Sequence, residues 1–250
     1  MLKPQSERKT IEQIRQAYNE HLENCTKYLF YTRSTEKQKE IVANLMTFKE
    51  EIKRYKYGAI KARNEQAANI LFHFQCILNS NISLLELWIN LKSNKYNEAW
   101  DSLIEAEKYL EYGIKCVDGH YGLEEYGKKL IEIEHSIFPG FPYYNSMGII
   151  IKGGKCSICG QPFTKCKHIE EKIYWGRVCR IIEPEKIDID HSAIVKIPKD
   201  RRCIITEISD EEGSMINYFT WDRSKKLPED KRGERIISGV LFYNKELDID

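Results

Sequence analysis

The chain has 250 residues and a formal net charge of +1, with 42% hydrophobic and 31% charged side chains. That is room for two modest domains or one large one and enough apolar residue to bury a core, which excludes a disordered tail. The near-neutral balance excludes a global electrostatic pull toward nucleic acid or membrane.

The first residues, Met1 to Arg8, carry no apolar run, so a secretory signal is not expected. From Ser6 to about Ile137 the pattern is helical. Ile11, Ile14, Tyr18, Leu22, Cys25 and Leu29 recur at steps of three and four, which places them on one helix face. Ile41, Leu45, Phe48, Ile52 and Tyr55 form a second such stripe, and two in succession predict an antiparallel hairpin. Gly58 marks either a bend or a weak point in a longer helix. Ile70 to Leu91 is the most apolar stretch, yet Asn79, Asn81, Glu86 and Asn90 interrupt it, so it reads as a buried core helix rather than a membrane span. Tyr96 to Ile114 is amphipathic without a second copy at a fixed period, and Leu123 to Ile133 adds a short helix.

Phe138-Pro139-Gly140-Phe141-Pro142 ends the helical region, because two prolines around a glycine cannot continue a helix. Strand-like segments follow at 149–151, 173–175, 187–190, 203–206, 215–221 and 236–243, with turns at Gly153-Gly154 and Pro198-Lys199-Asp200. The charged run 224–234 reads as mobile. The expected fold class is therefore α+β: an antiparallel helical bundle over 1–140, then a small zinc-stapled β-rich domain over 141–250.

The chemistry concentrates in Cys156-Ser157-Ile158-Cys159-Gly160, followed by Cys166 and His168, a Cys-x2-Cys-x6-Cys-x-His spacing. Two thiolates two residues apart let one tight turn present both sulfurs, and Gly160 can take the positive φ that such a turn needs. Zinc closes a structural site with four such ligands and keeps no catalytic water there. Cys179, after a strand and turn, is the alternative fourth ligand. Eight cysteines without a secretory signal point to a reducing cytoplasm, where clustered thiols bind metal rather than cross-link. Cys25, Cys76, Cys116 and Cys203 read as core packing.

Residues 152–180 carry seven basic and two acidic side chains, whereas 101–135 carry nine acidic and four basic. Lys155, Lys165, Lys167, Lys172 and Arg177 among aromatics form a candidate nucleic-acid face, with zinc-domain solubility as the plainer reading. His191 between Asp190 and Ser192 lacks a nucleophile elbow, and no phosphate-binding loop or metalloprotease motif is present, so no catalytic residue is assigned.

Residues 95–221 resemble an uncharacterised bacterial family through Tyr96-x-x-Ala99-Trp100, Phe138 to Pro142, Cys156 to Gly160, Cys166-Lys167-His168, Tyr174 to Cys179, Asp190 to Val195 and Asp200 to Thr206. More remotely, the Cys-x-His, Tyr-x-Gly and Ala193-Ile194-Val195 elements are similar to pieces of phage prohead-type serine proteases. Alanine stands at that family's serine position, so the resemblance implies a shared β-domain, with an atypical hydrolase using His168 or His191 as the alternative. The sequence leads us to expect a cytoplasmic, zinc-binding, non-catalytic binding or assembly protein in a mobile-element or phage-defence setting. Its partner, or a second copy, would dock on the N-terminal helices.

Overall fold

The computed structural model describes residues 9–117, 122–138, 143–226, 234–241 and 246–250. Five helices come first. The first, α1 (Ile11–Thr26), starts at a reciprocal cap: Thr10 accepts from the Gln13 backbone while the Gln13 side chain accepts from the Thr10 backbone. Ser34 caps α2 (Thr35–Lys61) and Asn64 caps α3 (Glu65–Lys92). They are followed by α4 (Tyr96–Lys115) and α5 (Leu123–Ile137). Left-handed Arg63 and Asn94 make the two tight reversals that bring α2, α3 and α4 side by side.

The two apolar stripes are used inside this bundle. Ile14, Tyr18, Cys25, Leu29, Ile41, Leu45, Phe48 and Ile52 are all buried, and Tyr18 stacks on Phe74 of α3. Gly58 sits near the end of α2 and does not interrupt it. By length and composition α3 could cross a membrane, but 83% of its most apolar window is buried within the fold, as the central helix of a bundle requires. The aromatics after α1 also find neighbours: Tyr31 meets Trp88 edge-on and Phe30 lies under Lys129.

The strands form separate antiparallel units. A two-stranded ribbon joins β1 (Tyr144–Lys152) to a partner far along the chain, Lys186–Val195. Between these two strands lies a small metal-type module. It contains β2 (Lys155–Cys156), a short 3₁₀ turn at Phe163–Lys165, β3 (Ile173–Tyr174), β4 (Arg177–Val178) and β5 (Ile181–Ile182), with β2 paired to β5 and β3 to β4. The ribbon partner is thus β6. After it come β7 (Ile205–Ser209), β8 (Ser214–Asn217), β9 (Arg223–Lys226) and β10 (Ile237–Gly239), in a sheet of order β10-β7-β8-β9.

The α+β class is as expected, with differences in detail. Residues 224–226, expected to be mobile, belong with Arg223 to β9, because their backbone pairs with β8. Residues 227–233 of that run lie outside the described residues, as do 139–142 of the proline loop. Trp175 and Trp221 leave their expected strands to take left-handed turn positions. Helices and strands share one core: Trp100 of α4 packs on Phe138 and donates its indole N–H to the Arg201 carbonyl at 2.7 Å, with Tyr144, Ile204 and Phe219 around it.

Candidate metal centre

The module begins where the ribbon stops. Gly153 and Gly154 both have positive φ, 69° and 116°, and a Cβ on Gly154 would lie 2.5 Å from Ile181 Cγ2. They therefore launch the module rather than close a local hairpin. Cys156 ends β2, and the chain then turns through Ser157 and Ile158 to Cys159. Gly160, at φ 70°, donates its N–H to the Cys156 carbonyl at 2.8 Å, which closes the turn. The Ile158 N–H points back at Cys156 Sγ, 3.4 Å away.

Cys166 follows the 3₁₀ turn, and its sulfur accepts from the His168 backbone N–H at 3.1 Å. The His168 ring is oriented by Tyr174, whose ring meets it edge-on at 4.6 Å. Its Nδ1 lies 3.1 Å from Cys166 Sγ and 3.7 Å from Cys156 Sγ, while Cys159 and Cys166 sulfurs are 3.6 Å apart. All four ligand atoms lie within 4.8 Å of one another. Thiolates held at metal–sulfur distances of about 2.3 Å in a tetrahedron are about 3.7 Å apart. The four residues are thus close enough to bind one metal ion.

Cys179 is a fifth neighbour. Its sulfur is fully buried and 3.8 Å from Cys156 Sγ, but it stands outside that compact set of four. Backbone bonds hold it there: Cys179 donates to the Lys172 carbonyl and accepts from the Glu171 N–H.

The thiols influence one another strongly. Burial pushes the Cys156 thiol up, but backbone N–H groups of Cys159 and Ile158 outweigh it and bring it down to about 6. Burial and the neighbouring Cys156 push Cys179 up to about 12. One thiolate thus forms readily and makes the next harder to form. A cation among them removes that conflict, because it stabilises every thiolate at once.

The module is fastened to the bundle at two places. The β3–β4 hairpin turns through Trp175 and Gly176, at φ 53° and 65°, the pair of positive angles that a tight two-residue hairpin loop uses. The Trp175 N–H donates to Glu65 Oε1 at 3.1 Å and the Gly176 N–H to Asn69 Oδ1 at 2.7 Å, both in the first turns of α3. The second fastening is the segment 246–250. The Asp248 carboxylate lies between Lys49 and Lys53 at 3.0 and 2.7 Å, and its carbonyl accepts from Gln75 and Asn79. Ile249 is buried among Phe72, Cys76, Tyr109, Tyr112 and Val178, while Asp250 reaches Arg180 of the module. Beneath both fastenings, fully buried Lys56 donates to Gln75 at 2.7 Å and lies over the Phe72 ring. Burial lowers its ammonium to about 8.

The sequence did not point to Gly176, Lys56 or Asp248 as important positions. The Trp-Gly dipeptide between Ile173-Tyr174 and Arg177-Val178 was the available signal for the first. The alternation Leu247-Asp248-Ile249-Asp250 was the available signal for the last.

The candidate nucleic-acid residues all belong to the module. Lys155 pairs with Glu183 at 2.6 Å, Lys165, Lys167 and Lys172 are exposed, and the Arg177 Nε is buried. Of the interleaved aromatics, Tyr174 packs on His168 and Trp175 makes the hairpin turn.

No family model, curated protein or solved structure matches the chain. Neither resemblance read from the sequence gains support from these comparisons. His191 and Ser192 are successive residues of β6, next to the bulge at Asp190, and no hydrogen bond joins their side chains among the described contacts. The His191 ring instead covers Gly148, where a Cβ would come within 2.5 Å of it, and Nδ1 meets Asp190 at 2.9 Å.

Proposed function

We propose that the protein binds one zinc ion through Cys156, Cys159, Cys166 and His168, and that the ion is structural. The observation that carries this reading is that the four ligand atoms all lie within 4.8 Å of one another, with three of the pairs at 3.1 to 3.7 Å, across residues brought together by two different turns. Three sulfurs and one imidazole suit zinc better than a hard cation, and a four-ligand set leaves no open position for a reacting water. When bound, zinc staples the loop 156–168, which has few backbone pairs of its own.

The reading extends to a non-catalytic binding or assembly protein. The module is held against the bundle by Gly176 and Asp248, so metal loading supports the shape of a surface that helices, module and ribbon build together. A cytoplasmic setting fits thiols that must stay reduced. The mobile-element or phage-defence setting rests on the prohead-protease resemblance alone. Elemental analysis of the desalted protein, with chelator extraction followed by circular dichroism, tests the metal and its structural role. Zinc bound without any structural consequence on removal would contradict the staple.

A further inference from the structure

Arg201 stands between the helices and the strands and holds both. It donates to Glu107 Oε2 of α4 at 2.6 Å and to the Glu134 carboxylate of α5. Its guanidinium lies over the Trp100 ring and also donates to the Tyr144 side chain at the start of β1. Two carboxylates therefore share one cation, and the cluster carries one negative charge in excess when both are ionised. Glu107 Oε1 is buried and accepts no hydrogen bond among the described residues. The Glu134 carboxyl is within hydrogen-bonding reach of Glu107 once one of the two carries a proton. Burial, reinforced by Glu134 and opposed by Arg201, raises the Glu107 carboxyl to about 7. The other charged groups of α4 and of the loop before β7 are matched among themselves. Glu105 faces Arg202 at 3.7 Å, Arg202 holds Asp200 at 2.7 Å, and Lys108 pairs with Glu111 at 3.0 Å and with Glu171 at 3.7 Å.

We propose that Glu107, Glu134 and Arg201 form a proton-dependent latch, in which one proton shared by the two carboxyls closes the joint between helices and strands and its loss loosens the segment 200–205. The shared proton makes the cluster neutral, so no buried charge is left uncompensated. Without it, two carboxylates repel each other where little water can screen them. The strands build on the segment that Arg201 anchors. The Cys203 carbonyl accepts from the Asn145 N–H, and the Ile205 N–H donates to the Tyr143 carbonyl. The same segment walls a cleft of about 770 Å³ against α4 and β1, so loosening it reshapes that cleft. A raised folded-state value means that the closed form binds more protons than the open one. Closure is thus strongest at low pH and is lost as pH rises from about 4 through about 7. The cluster shares no residue with the metal centre.

Two measurements on the full chain test this together: carboxyl carbon NMR with labelled glutamate, and hydrogen exchange of the amides of residues 203–205. One carboxyl resonance should titrate near pH 7 and be missing from Glu107→Gln, whose amide stands in for the protonated acid. Protection of the amides, corrected for the intrinsic exchange rate, should fall about tenfold between pH 6 and pH 8 in the parent, because an open form with an ordinary carboxyl gains that factor over the closed one. In Glu107→Gln the protection should stay level across the same range. Glu134→Gln leaves a single carboxylate on Arg201, so it should move the titration to lower pH, and it serves as the second comparison should Glu107→Gln fail to fold. A parent in which no carboxyl titrates above about pH 6, protection that stays level while the proton leaves, or the same fall in Glu107→Gln would overturn the proposal.

Discussion

Gly176 donates its backbone N–H to Asn69 Oδ1 at 2.7 Å, and this bond joins the metal module to the bundle's central helix. The position tolerates no side chain. A Cβ there would lie 2.6 Å from the Ala68 carbonyl oxygen and 3.0 Å from Lys56 Cδ, and φ is 65°.

Gly176→Ala should therefore cost about 2 kcal/mol or more, because left-handed strain and a backbone clash act together. Asn69→Ala should cost about 1–3 kcal/mol by leaving a buried N–H without its acceptor. Thermal denaturation gives both numbers. Release of metal to a competing chelator should be faster in both variants, and an unchanged rate would show that the docking does not support the module.

Asp248 should give the protein a measurable acid dependence. Burial pushes its carboxyl up, but hydrogen bonds from Lys53 and Lys49 prevail and hold it below the ordinary carboxylate range. A depressed folded-state value means that the contribution is full above the unfolded value of about 4 and is lost as pH falls through the folded one. Asp248→Asn should thus be less stable than the parent by about 1 kcal/mol at neutral pH, with the gap closing below about pH 4. Paired urea titrations at pH 7 and pH 3 check it, and a gap independent of pH would refute the ion-pair account.

Lys56 predicts a slope of the same sign at the alkaline end. Burial lowers its ammonium to about 8 in the folded protein, while the unfolded chain keeps the proton up to about 10.4. The unfolded state binds more protons between those values, so this residue adds stability as pH rises from 8 toward 10. Subtracting a Lys56→Met profile from that of the parent isolates the effect from the ionising cysteines. A flat difference across that window would mean the buried lysine is not desolvated.

Much of this arrangement was legible in the sequence. The stripes Ile11–Leu29 and Ile41–Tyr55 identified helix faces because helical period is local, and the spacing from Cys156 to His168 pointed to four residues that do lie close enough to bind a metal ion, because a knuckle is local too. What escaped was non-local. Gly153-Gly154 reads as a turn between adjacent strands, yet β1 pairs with β6 across the whole module, and no periodicity encodes a partner that distant. Gly176 looked like an ordinary turn glycine, since its necessity comes from Ala68, which is far away in sequence. The apolar face of β6 was visible as alternation at Ile187 and Ile189, but alternation predicts one buried face, and within the chain that face is exposed.

The fourth ligand is open to a direct swap. His168 belongs to the compact set of four, whereas Cys179, 3.8 Å from Cys156, lies outside it. His168→Ala should lower metal affinity by orders of magnitude, whereas Cys179→Ser should retain one equivalent of metal. Competition with a chromophoric chelator compares them, and the reverse order would assign the site to four cysteines.

The central claim is that Cys156, Cys159, Cys166 and His168 hold one structural zinc. Elemental analysis of the exhaustively desalted protein tests it most directly, with Cys159→Ser alongside. About one zinc per chain is expected in the parent. The variant should lose the metal and the fold of residues 155–182, with the helical circular dichroism signal of residues 11–137 retained. A parent protein that is folded and holds no zinc would contradict the account.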